Sequence, residues 1–225
     1  MGRAISEVLP FGIGVAISPV PIIAVILMLF SPRARVNGVT FLAGWVVGLA
    51  AVCAVVYGLA DAGDVASDPA ASDTMFWIKL ALGVVLILAA ARRWRARPKP
   101  GEDRSLPRWM AAIDGFTPRR AGAIGIGLSA VNPKNLILTV GAAATVAQTG
   151  VAAGDAVAAL VVFVLLGSLT IGAPVVMYVT GREKVASVLD EWKVWLSEHD
   201  SAVMAVLLVV FGFVLLGQAI RGLTA

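Results

Sequence analysis

Apolar residues along this chain come in six blocks, separated by short stretches that carry nearly all of its charge. The blocks run over Val8–Phe30, Val39–Ala60, Met75–Ala91, Ala121–Ala147, Ala156–Thr180 and Ala202–Ile220. Each is close to the ~20 residues a helix needs to cross hydrocarbon ~30 Å thick. The pattern predicts an all-α membrane protein of six transmembrane helices. One further stretch, 182–199, has a different character. Val185, Val188, Leu189, Trp192, Trp195 and Leu196 recur at helical spacing, with charged and polar residues mostly on the remaining surface. That spacing predicts an amphipathic helix lying in the membrane interface, with a short soluble helix packed on the loops as the alternative.

Composition sharpens this reading. Hydrophobic residues make up 59% and charged residues 14%, against roughly 45–50% and 25% for a soluble domain. Mean hydropathy is +0.91. The first block follows Arg3 but has no small-residue cleavage site after it, so it is expected to stay as a span and not act as a removable signal. Most of the 18 basic residues lie in three loops, at Arg33 and Arg35, from Arg92 to Arg120, and at Arg182, Lys184 and Lys193. By the positive-inside rule those loops face the cytoplasm, which puts both termini outside the cytoplasmic membrane of a bacterium. The net charge of +4 is therefore assigned to topology and anionic lipid headgroups, with no nucleic acid as partner.

Prolines divide the pattern into matching halves. Ser18-Pro19-Val20-Pro21 interrupts the first block and Asn132-Pro133-Lys134-Asn135 the fourth, each after a Gly-Ile-Gly stretch. Residues 1–91 and 121–225 would then be two three-helix repeats joined by a basic cytoplasmic linker at 92–120. An odd number of spans per repeat makes equivalent helices run in opposite directions, the inverted plan of many secondary transporters. Pro174 in the fifth block is a further candidate hinge, with a static kink as the alternative. Gly44 and Gly48 form a small-xxx-small pair that favours plain helix packing over a dimer contact, although a homodimer stays open.

Lys134 carries the most chemical information. It lies 14 residues past Arg120, about 20 Å along a helix. An ammonium at that depth costs ~2.5–3.5 kcal/mol by insertion scales, so it is expected to face a bundle interior or a wet cavity. The alternative is that it snorkels to a surface. Pro133 frees local carbonyls, and Asn132 and Asn135 can satisfy them or bind a ligand. Lys134, Asn132, Asn135 and Ser18 are thus the candidate substrate-binding residues, with Pro19, Pro21, Pro133 and Pro174 shaping or hinging the helices. An anionic group is the natural cargo for such a site. No catalytic function is expected: no Walker loop is present, and Cys53 and His199 stand alone in type, which leaves no His/Cys metal site, disulfide or triad. No cofactor is expected either.

Residues 16–29, Phe41-Leu42-Ala43-Gly44-Trp45 and Asn132-Pro133-Lys134-Asn135-Leu136 resemble the glycolipid-addressing protein family of actinobacteria, a branch of the lysine-exporter superfamily of small six-helix transporters. The resemblance implies an inverted 3+3 repeat and delivery of complex lipids, such as peptidoglycolipids or sulfolipids, to the cell surface. It also implies a central site at Pro19, Pro21, Asn132, Pro133, Lys134 and Asn135. The thiol-reductant, nickel/cobalt and manganese branches would need a cysteine pair, His-rich segments and intramembrane carboxylates respectively. The leading expectation is export or flipping of an anionic lipid by alternating access. Export of a small solute such as an amino acid, and a non-transporting adaptor for a larger lipid-export machine, are the rivals.

Overall fold

The computed structural model describes residues 1–63, 69–95, 115–181 and 185–223. Among these residues the chain is helical throughout, with no strand. Helices α1 (Gly2–Ala16) and α2 (Pro19–Leu29) form the first block. Then come α3 (Ala34–Ala62), α4 (Pro69–Arg95) and α5 (Pro118–Ile126), the last continued by a π-helical turn at Gly127–Val131. The chain ends with α6 (Pro133–Gln148), α7 (Ala153–Val179) and α8 (Val185–Leu223). Four of these, α3, α4, α7 and α8, are each long and apolar enough to cross a membrane. Counting α1 with α2, and α5 with α6, as bent spans raises the total to six. The protein is a multi-pass membrane protein.

Both breaks have one local cause. A proline lacks the backbone donor and crowds the residue before it out of the helical region. Ser18, before Pro19, is extended at φ −124° and ψ 92°. Asn132, before Pro133, sits at φ −60° and ψ 120°. The helices on either side meet at 55° and 61° respectively. Each proline then opens the next helix at its first position, where a missing donor costs nothing. Pro174 does not act this way: α7 runs through it without interruption to Val179.

The segment 185–199 departs from the sequence expectation. It is not a separate interfacial helix but the first part of α8, one continuous helix of 39 residues. Leu189 and Leu196 are buried while Trp192 and Trp195 are exposed, so the segment packs one face inward and runs on into the rest of α8. Most of the expected 92–120 linker, residues 96–114, lies outside the described residues.

Helix packing is set by small residues, which let backbones approach where lipid offers no hydrophobic driving force. A Cβ at Gly44 would stand 2.1 Å from Gly122 O, and one at Gly125 would stand 2.3 Å from Phe41 O. These contacts hold α3 against α5, so the Gly44/Gly48 pair serves packing within the chain. Phe11, Phe41, Trp45, Phe163 and Leu138 fill the interior, and Val55, Leu59, Leu165, Leu169 and Phe213 point outward.

Candidate functional site

α1 and α6 pass each other in opposite directions. Phe11 abuts Gly141, Leu138 lies beside Gly14, and Lys134 meets Ile17. This crossing brings the two breaks together in the interior. Helix α1 ends there, and its last carbonyls have no partners within the helix. Side chains from elsewhere supply them. Lys134 Nζ donates to Gly14 O at 2.7 Å, Ile17 O at 2.9 Å and Ser18 Oγ at 2.7 Å. Ser18 Oγ lies 2.6 Å from Val15 O and 3.0 Å from Asn135 Oδ1, and its proton serves one of them at a time. Thr170 Oγ1 donates to Ala16 O at 2.6 Å.

Lys134 is therefore a cationic cap on the negative end of α1, in the position that favours a positive charge. It is 4% exposed, and Ser18 and Asn135 are buried with it. Its ammonium has three donors, and all three are engaged. Asn135 Nδ2 donates to Leu128 O at 2.9 Å, a carbonyl within the π turn. Half-buried Asn132 accepts from Lys134 N at 3.2 Å and so caps α6. Pro19 and Pro21 are buried at the start of α2, whereas Pro133 is exposed. Lys134, Asn132, Asn135 and Ser18 thus come together as the sequence predicts. Pro174 stands apart within α7.

Beside this network lies a small cavity of about 40 Å³, lined by Ser18, Pro19, Pro21, Asn132 and Lys134 together with Arg93 of α4 and Met204 of α8. A water needs at least ~10–15 Å³ of such space, and a small-molecule site ~300–1,000 Å³. The cavity has room for a few waters and is too small for a headgroup. Arg93 pairs with Asp200 of α8 at 3.6 Å. Sequence reasoning assigned Arg93 to topology and passed over Asp200 and Thr170. Their signals were faint: a basic residue in the last turn of a span, and an acid and a hydroxyl within or beside apolar runs.

A second, larger groove adjoins on the same two helices. Ile87, Ala90, Ala91 and Trp94 of α4 face Ala205, Val206, Val209 and Val210 of α8 around about 410 Å³, almost wholly apolar. Ala90 lies one helical turn before Arg93, and Ala205 follows Met204, so a cationic pocket and an apolar groove are neighbours.

Thr170→Val tests the account of the α1 carbonyls. It removes one hydrogen bond and keeps the shape, so we expect a loss of about 1 kcal/mol, read as a lower Tm in detergent. An unchanged Tm would show that the Ala16 carbonyl needs no such partner.

Among the described residues no group of His, Cys, Asp and Glu side chains is placed to hold a metal ion. Neither a curated protein nor a solved structure matches the chain. The family model of Sap, sulfolipid-1-addressing protein, does match, over residues 8–221. That family is not one of enzymes, and its name associates it with lipid addressing. Because the match takes in all six apolar blocks and both proline breaks, the chain belongs to the Sap, sulfolipid-1-addressing protein, family.

Proposed function

We propose that this protein moves an anionic lipid, of the class to which a sulfolipid belongs, across the cytoplasmic membrane by alternating access. The observation that carries this reading is the adjacency of the cationic Arg93–Lys134 cavity and the apolar α4/α8 groove. A headgroup with negative charge suits the first and an acyl chain the second. A small polar solute would have no use for the groove.

In this conformation the headgroup site is occupied by the protein's own acceptors. Opening requires α1 and α6 to part at their breaks, which releases Lys134 from Gly14, Ile17 and Ser18. An anionic headgroup then replaces the lost acceptors, so the ammonium stays paired throughout. Two bent spans crossing in opposite directions support an inverted pair of three-helix repeats, the arrangement expected of the lysine-exporter superfamily. The basic loops support an orientation with both termini outside. Ser18, Asn132 and Asn135 serve the headgroup in the open form, and the prolines keep the breaks from closing into continuous helix.

Val206→Trp tests the lipid part. Val206 is 58% exposed and lines the groove, so a larger ring there fills it without disturbing the buried network. In a strain lacking the protein, wild type is expected to restore a surface lipid whose precursor otherwise stays inside. Val206→Trp, present at equal level, is expected to restore little of it. Full restoration by Val206→Trp would remove the groove from the account. An unchanged lipid profile in the deletion strain would favour a small solute as cargo.

A further inference from the structure

A second polar cavity opens at the other end of α4 and α8. It has a volume of about 280 Å³ and lies where the start of α1, the end of α6 and the end of α8 meet the first turns of the α4 span. Lys79 lies 14 residues before Arg93 on α4, and Gln218 lies 14 residues after Met204 on α8. The two cavities are thus about 20 Å apart along the same helix pair. The basic loops put this second cavity on the outer side.

Among the described residues its charge is unbalanced. Arg3, Lys79 and Arg221 line it against one carboxylate, Glu7. Lys79 is 3% exposed, a costly position for an ammonium in a membrane span. Its direct contacts are uncharged: it donates to Gln148 Oε1 and stands 5.9 Å over the ring of Phe76, while the Glu7 carboxylate acts on it through space. That hydrogen bond also fixes the Gln148 amide, turning Nε2 away as a donor. Gln148 Nε2 is buried and has no partner among the described residues. Gln218 Oε1 lies 3.2 Å from Thr145 Oγ1, whose one proton is shared with Gly141 O at 2.7 Å. Among the described residues the walls therefore bring together two guanidinium groups, an ammonium and the Gln148 amide nitrogen, with Glu7 as an ionised acceptor and Arg221 Nε donating to Gly217 O.

We propose that this cavity is a second anion site, which takes a tetrahedral oxyanion: a sulfate or phosphate group, either free or carried on a lipid headgroup. Guanidinium and ammonium groups bind such oxygens through charge-assisted hydrogen bonds. An oxyanion also supplies the acceptor that Gln148 Nε2 lacks and adds negative charge where Arg3, Lys79 and Arg221 share Glu7. The site stands whether or not the protein moves lipid, since it rests on donors and charge at this end alone.

The test uses the full chain, purified in detergent and in phosphatidylcholine nanodiscs. Sodium sulfate and sodium phosphate are titrated against chloride at matched ionic strength while Tm is followed. In a parallel arm, nanodiscs with and without phosphatidic acid are compared. We expect a saturable rise in Tm with sulfate or phosphate if the free ion is the ligand, or with phosphatidic acid alone if a headgroup is. Arg221→Gln and Arg3→Gln alter exposed side chains and should leave the fold intact. Each removes a charge-assisted contact and is expected to weaken binding about tenfold. Arg35→Gln, at an exposed position that lines neither cavity, is expected to leave the response as in wild type. The proposal is overturned if neither ion nor phosphatidic acid raises Tm beyond chloride. It is equally overturned if Arg3→Gln and Arg221→Gln respond as wild type does. Failure of lipid movement with a preserved sulfate response would count against the transport reading only.

Discussion

Lys134→Met is expected to abolish lipid movement and to lower stability more than any other single change at the site. Methionine keeps the length and apolar stem of lysine but has no donors. Gly14 O, Ile17 O and Ser18 Oγ would lose the ammonium that now lies 2.7–2.9 Å away. A buried acceptor left bare costs about 1–3 kcal/mol, and total stabilities are of the order of 5–15 kcal/mol. The end of α1 should therefore fray, with a marked fall in Tm. Ser18→Ala added to Lys134→Met should cost less than the two changes made separately, because they break one shared network. Lys134→Arg divides structure from function. It keeps the charge, but a planar fork does not converge on three acceptors as a compact ammonium does. We expect partial stability with poor movement. Full activity in Lys134→Met, at normal protein level, would show that the ammonium serves neither cargo nor cap.

Gly44→Ala is expected to have the second-largest effect, through packing alone. Its new methyl would stand 2.1 Å from the backbone oxygen of Gly122. No rotamer can relieve a clash with backbone, so α3 and α5 must separate. Overpacking of this kind costs about 1–3 kcal/mol. Gly58→Ala provides the contrast within the same helix, since nothing lies within 4 Å of its added carbon. There the gain in helix propensity, up to ~1 kcal/mol, meets no opposing clash. Thermal unfolding in detergent should place Gly44→Ala below wild type and Gly58→Ala at or above it. Equal midpoints for the two variants would mean that α3 and α5 do not meet at Gly44.

The parts of this molecule that could be read from sequence are those with a local cause. A proline acts on the residue before it, so the breaks at Ser18 and Asn132 were legible from two short motifs. Charge spacing placed Lys134 deep in the bundle, and the structure finds it buried there. Its partners were a different matter. The carbonyls of Gly14 and Ile17 belong to a helix more than a hundred residues away, and no spacing rule points to them. Arg93 and Asp200 join the site only because α4 and α8 run side by side. The continuity of α8 had a clue that was missed. Ser197-Glu198-His199-Asp200-Ser201 is polar but contains neither glycine nor proline, so nothing stops the helix from running on. Lys79 stood in plain view as a lysine inside an apolar block. Its meaning depended on Gln148, Gln218 and Arg221 arriving at the same place.

The most direct measurement is lipid movement by the purified protein in vesicles. Protein is reconstituted into phosphatidylcholine vesicles carrying a trace of fluorescent anionic lipid, and the label accessible to an external quencher is followed in time. The account predicts that wild type moves label between leaflets faster than protein-free vesicles do, while Lys134→Met and Val206→Trp, inserted at equal amounts, do not. Movement by Lys134→Met at the wild-type rate would contradict it.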